Sequence, residues 1–248
     1  NPKGKVTITG ADEEGAYYGV LTLQQILDQK TQNGGFAQVT VYDYPSVKLR
    51  GIVEGFYGFP WSYEDRLSII QETSKLKMNT YIYAPKDDPY HKDRWREPYP
   101  EEEAEKIRQL AEEADKNNMS FCWNVHPGNG YNYNTDADFD ALIAKFEQLY
   151  ELGVRQFGVS YDDLASGYSG PQHVSVINRV DEEFVKTKSD VKPLIVVGTR
   201  YANAWGPNMQ TYFKPFLRDL HEDVVVMWTG AETIGDITRE GFEWPKEQ

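Results

Sequence analysis

From residue 47 onward the chain alternates short apolar runs with longer stretches of helical periodicity. The runs at residues 49–53, 79–83, 121–125, 157–160, 194–197 and 224–227 are apolar on both faces, as in Leu194-Ile195-Val196-Val197 and Val224-Val225-Val226-Met227. Strands buried on both faces read this way, which is the condition of a parallel sheet covered by helices. Helical spacing fills residues 63–76, 101–118, 137–152, 173–187 and 210–220. The alternation predicts an α/β fold, either a doubly wound sheet or a (β/α)8 TIM-type barrel. No Gly-x-Gly-x-x-Gly follows the first strand, so a dinucleotide-binding sheet is disfavoured. Segments after strands are long, polar and aromatic, whereas those after helices are short. That asymmetry favours the barrel, whose strand C-termini carry the chemistry. About six βα units are counted where a closed barrel takes eight, so an open or C-terminally incomplete barrel is expected.

The first residues have another style. Lys5-Val6-Thr7-Ile8-Thr9 alternates at period two, residues 14–27 are helix-like, Asn33-Gly34-Gly35 breaks the pattern, and residues 36–42 return to a β pattern. Asp43-Tyr44-Pro45-Ser46 reads as a linker. The expected division is a partial α/β domain at residues 1–46 and a barrel domain at residues 47–248. So small a first unit buries little surface alone.

Composition narrows the function. The 248 residues hold 26 Lys plus Arg against 39 Asp plus Glu, a formal charge of −13. Nucleic-acid surfaces and anionic-membrane anchors need clustered positive charge, so a neutral or cationic partner fits better. The single cysteine, Cys122, excludes an internal disulfide framework and a cysteine-based zinc site. No apolar run is long enough for a transmembrane helix. The chain opens on Asn1 without a leader, as a processed or excised chain would. With 17 Tyr and 6 Trp it is rich in rings that line sugar clefts but equally fill cores.

Candidate chemistry gathers where strands end. Val159-Ser160-Tyr161-Asp162-Asp163-Leu164 runs a strand into adjacent carboxylates. Two acids forced into one pocket do not ionise independently: one keeps a proton and serves as general acid, and the other stays anionic. Glycoside hydrolysis uses that division, although a helix cap beside an exposed acid has the same sequence. Tyr83-Ala84-Pro85-Lys86-Asp87-Asp88-Pro89-Tyr90-His91 offers Lys86 as a donor to a sugar hydroxyl, or a turn with internal salt bridges. A metal at Asp87, Asp88 and His91 is disfavoured, because His91 and His126 lack a close-spaced histidine partner. In Glu54-Gly55-Phe56-Tyr57-Gly58 the glycines allow close backbone approach to a ligand and the rings can wall a pocket or plug a core. Tyr201 and Thr229 also follow strands. No Gly-x-Ser-x-Gly elbow is present, and Cys122 sits within an expected buried strand.

Taken together, Arg50-Gly51-Ile52-Val53-Glu54-Gly55-Phe56-Tyr57-Gly58, the run Met78 to His91, Tyr161-Asp162-Asp163 and Met227-Trp228-Thr229-Gly230 resemble glycoside hydrolase family 84, the β-N-acetylglucosaminidases that include O-GlcNAcases. The resemblance implies a retaining reaction in which the substrate's own acetamide oxygen attacks and forms an oxazoline. By motif position, Asp162 would polarise the acetamide N–H, and Asp163 would protonate the leaving oxygen and later activate water. Lys86 and Gly55 would bind sugar hydroxyls, Tyr201 would shape the acetamide pocket, and Tyr57 and Thr229 would complete the sugar site. No metal or organic cofactor is implied. The implied partner is a GlcNAc-bearing glycoprotein or glycan, hyaluronan-like glycans included. Further domains and, from bacterial relatives, a secreted or surface location are also implied. Two departures stand out. Gly198-Thr199-Arg200-Tyr201 replaces the family's Pro-Thr-Glu-Tyr, and the later Trp-Trp-Asn strand is absent. A non-catalytic sugar-binding fragment is therefore the alternative expectation.

Overall fold

The computed structural model describes residues 4–29, 38–164, 168–205 and 209–243. Six parallel strands form one sheet in chain order: β1 (Gly51–Glu54), β2 (Thr80–Tyr83), β3 (Ser120–Val125), β4 (Gln156–Ser160), β5 (Ile195–Val197) and β6 (Val225–Val226). Each strand pairs with the next, so the sheet curls steadily as six successive units of a (β/α)8 barrel. Helices α2 (Tyr63–Ser74), α3 (Glu101–Lys116), α4 (Ala137–Glu151), α5 (Gly170–Glu183) and α6 (Lys214–Asp219) make the crossovers.

Local signals set these boundaries. Ser62 caps α2 in a reciprocal box with Asp65, satisfying backbone donors of the first turn. Helix α3 carries three glutamates in its first turn and buries Ala104, Ile107, Leu110, Ala111 and Ala114 on one stripe. Lys77, Asn118 and Gly153 adopt left-handed backbone (φ 63°, 54° and 95°) between a helix and the next strand. Such residues stop a helix abruptly, which keeps those connections short.

Strand residues alternate between two environments. Tyr81, Phe121, Trp123, Phe157, Val159, Leu194 and Val196 face the helices in the main core. Ile82, Cys122 and Ile195 form a smaller cluster on the opposite, inner face, with Val225 and Met227 packed against it. Gly158 shares that inner side. A Cβ there would lie 2.4 Å from Asn124 Nδ2 and 2.9 Å from the Ile195 carbonyl oxygen, so only glycine admits the buried Asn124 side chain.

The N-terminal segment differs from its expected pattern. Helix α1 (Glu13–Asp28) forms, capped by Asp12. Residues 5–9 and 38–42 are not strands, and residues 36 and 37 lie outside the described residues. Period-two alternation makes a strand only where another strand supplies hydrogen bonds, and these segments find none among the described residues. Val6, Val39 and Val41 are consequently exposed. A further short helix, α7 (Arg239–Glu243), follows β6, and among the described residues no helix is long and apolar enough to cross a membrane.

Candidate active site

The sheet's C-terminal edge gathers the candidate residues, and the end of β4 is their centre. Tyr161 is wholly buried, its amide donating to the Val197 carbonyl (2.9 Å) and its ring stacked on His173 at 3.7 Å and 4°. This fixes the chain just before it turns through Asp162 and Asp163. Asp163 has φ 58°, a left-handed conformation that aspartate tolerates better than most residues. The turn lets two consecutive carboxylates reach one mouth, which alternation within a strand forbids.

The two acids meet different surroundings. Lys86 Nζ lies 2.7 Å from Asp162 Oδ2, and the side chains are 3% and 17% exposed. Burial pushes the Asp162 carboxyl up, but the adjacent Lys86 charge, the neighbouring His126 and the hydrogen bonds together outweigh it and hold the group below the usual carboxylate range. Among the described residues no donor reaches Asp162 Oδ1, and His126 Nε2 stands off at 3.6 Å. Asp163 instead accepts a 3.0 Å hydrogen bond from the Tyr201 hydroxyl at its Oδ1. Burial and then the Asp163 charge raise the Tyr201 phenol, so it remains a donor.

Lys86 owes its place to the loop after β2. Ala84 donates to the Glu54 carbonyl (2.9 Å), extending the β1–β2 ladder. Asp88 then anchors the turn, accepting from the Tyr83 hydroxyl (2.9 Å), the Tyr99 hydroxyl (2.5 Å) and the Tyr90 amide (2.7 Å). Asp87 is exposed, and buried His91 turns Nδ1 to the Asn124 carbonyl at 2.5 Å. These residues are a turn with internal bonds. Among the described residues no three His, Cys, Asp or Glu side chains assemble for a metal ion.

Gly55 follows buried Glu54, whose carboxylate takes Arg66 (Nη2 to Oε1, 2.8 Å; Nε to Oε2, 2.9 Å) and the Tyr81 hydroxyl. Tyr57 is exposed, with Lys92 Nζ 3.3 Å from its hydroxyl and 5.1 Å from its ring centre. A 280 Å³ cavity beside the carboxylates is walled by Tyr57, Lys92, Trp95, His126, Asp162 and Asp163, among others. Gly55, Lys86, Tyr201 and Thr229 lie outside its lining. Thr229 serves the Tyr201 loop: its amide donates to the Tyr201 carbonyl (2.9 Å), and its hydroxyl lies 3.1 Å from that oxygen and 3.0 Å from the Glu232 carbonyl. Arg200 packs over the Tyr168 ring and hydrogen-bonds its hydroxyl.

Sequence reasoning passed over the groups behind this pair. Thr199 donates its hydroxyl to the Tyr161 carbonyl (2.7 Å) and its amide to the Tyr212 hydroxyl (2.9 Å), which lies 2.7 Å from His173 Nδ1. Burial pushes His173 down to about 3, so its ring is neutral. The usable signal was position: Thr199 and His126, like the carboxylates, follow strands.

Two adjacent carboxylates thus sit at the C-terminal edge of a partial (β/α)8 barrel, and comparison with known proteins gives the family. A family model described as beta-N-acetylglucosaminidase matches residues 50–248, and one described as glycosyl hydrolase family 20, domain 2, matches residues 1–44. The chain belongs to the β-N-acetylglucosaminidase family of glycoside hydrolases. It is 30% identical over 209 residues to Protein O-GlcNAcase of Mus musculus and of Rattus norvegicus, covering 79% of this chain and 22% of each relative. The solved structure of CpGH84B superposes with a TM-score of 0.84 at 42% identity, over 91% of this chain and 40% of that one. A mutant O-GlcNAc hydrolase of Thermobaculum terrenum superposes with a TM-score of 0.69 at 31% identity, over 75% of this chain and 42% of that one.

Proposed function

We propose that the protein removes terminal β-linked N-acetylglucosamine from glycoproteins or glycans, with retention of configuration and with the substrate's acetamide oxygen as nucleophile. The observation that carries this reading is the split between the carboxylates. Asp162 is held anionic by Lys86 at one oxygen while the other lacks a donor. Such an oxygen accepts the acetamide N–H and raises the nucleophilicity of the carbonyl oxygen, which closes on the anomeric carbon as the glycosidic bond breaks. Asp163, on the Tyr201 side, gives its proton to the leaving oxygen and then takes one from the water that opens the oxazoline. A protein nucleophile is disfavoured because the two carboxylates are adjacent in sequence at the end of one strand, whereas retaining enzymes that use one set them on opposite sides of the scissile bond. In this reading Lys86, Gly55, Tyr57, Tyr201 and Thr229 surround the sugar, and the 280 Å³ cavity receives the aglycone.

The test is hydrolysis of an aryl β-N-acetylglucosaminide by the full-length protein. Asp163→Asn is expected to lower kcat by ~10²–10⁴-fold on a poorly acidic leaving group, the range of general acid catalysis. Absence of turnover by the folded wild type, or undiminished turnover by that variant, would sink the proposal.

A further inference from the structure

His126 follows β3, is 2% exposed, and points Nε2 at the backbone carbonyl of Asp162 at 2.7 Å. A carbonyl oxygen only accepts, so Nε2 carries the proton. Burial pushes this imidazole down, so it is the neutral ring that donates. The preceding carbonyl, that of Tyr161, is held in the same manner by the Thr199 hydroxyl from beyond β5. Two successive carbonyls past the end of β4 are thus gripped by side chains from the two flanking strands.

The gripped Asp162 carbonyl belongs to the peptide that joins the two carboxylate residues. Its plane sets the direction in which the chain enters Asp163, and Asp163 has left-handed backbone with φ 58°. Even for aspartate that region carries a backbone cost, which contacts fixing the neighbouring peptide offset. Among the described residues the Asp163 side chain has one hydrogen bond in place, to the hydroxyl of half-buried Tyr201.

We propose that His126 is a positioning residue. Its Nε2–H, bonded to the Asp162 carbonyl, locks the peptide between the carboxylates and so aims Asp163 at the leaving-group oxygen. The inference rests on the assignment of Asp163 as the acid. His126 Nε2 stands 3.6 Å from Asp162 Oδ1, beyond hydrogen-bond reach, and its one directed bond goes to the Asp162 carbonyl, so its main effect falls on the step that needs the acid.

His126→Phe keeps a ring without a donor, and His126→Gln restores an amide N–H. Both are compared with wild type on aryl β-N-acetylglucosaminides of graded leaving-group acidity. His126→Phe is expected to lose ~100-fold in kcat on the least acidic phenol, the scale of an ångström misplacement, and only a few-fold on the most acidic, which departs without protonation. KM, which also reads the cavity wall that His126 helps form, should change far less than kcat, and His126→Gln should recover most of the kcat loss. In a crystal structure of His126→Phe, the Asp163 φ is expected to turn negative. A loss uniform across leaving groups, a Gln variant no better than Phe, or an unchanged Asp163 backbone would each overturn the inference. A wild type that cleaves none of the substrates counts against the proposed function instead, and the Asp163 backbone then decides this point alone.

Discussion

Lys86 works by charge at close range: 2.7 Å from Asp162 Oδ2, with both groups largely out of water. Its removal takes away the largest of the influences that oppose burial, and burial favours the protonated form. In Lys86→Met the acid limb of the kcat/KM profile should therefore move upward by about 1–3 pH units, the usual effect of one close opposite charge. An acid limb that stays in place would show that Lys86 does not set the Asp162 ionisation. Glu54 is the second residue whose charge matters. It is fully buried against Arg66 and the Tyr81 hydroxyl directly before Gly55. Arg66→Met strands that carboxylate, and chemical denaturation should find a loss of about 3–5 kcal/mol, the cost of breaking one partner from a buried pair. Stability within about 1 kcal/mol of wild type would mean that Glu54 is solvated after all.

At the level of elements, the strands and the crossover helices were legible because doubly apolar runs and amphipathic stretches alternate with short segments after the helices. Lys86, Asp162 and Asp163 were legible as polar residues immediately past strands. His126 was legible only as a rejected metal ligand. Its bond spans 36 positions, so no local pattern announces it. Residues 5–9 and 38–42 misled for a related reason, since alternation records a two-sided surface and not the presence of a pairing partner. Gly158 belongs to this scale too. It couples β3 to β4 by making room for Asn124, and Gly158→Ala should cost about 1–3 kcal/mol in equilibrium unfolding through overpacking against that side chain. An alanine variant as stable as wild type would show that Asn124 moves aside freely.

Across the whole molecule, acid tolerance is set by buried neutral histidines. Burial pushes His91 and His173 to about 3, whereas an unfolded chain titrates them near 6.5. Between those values the unfolded state binds the extra protons, so stability is complete above about pH 6.5 and falls as pH drops toward 3. Each histidine contributes up to about 1.4 kcal/mol per pH unit, so moving from pH 6.5 to 5 should cost up to about 4 kcal/mol from the pair. Urea denaturation at the two pH values measures it, and stability that holds or rises on acidification would refute the assignment. One last feature gives the fold a built-in clock. Cys122, the chain's only thiol, is wholly enclosed on the inner face of β3, and burial pushes its pKa up. A disulfide reagent reaches it only when the sheet parts, so its labelling rate records how often the barrel breathes, without any engineered probe.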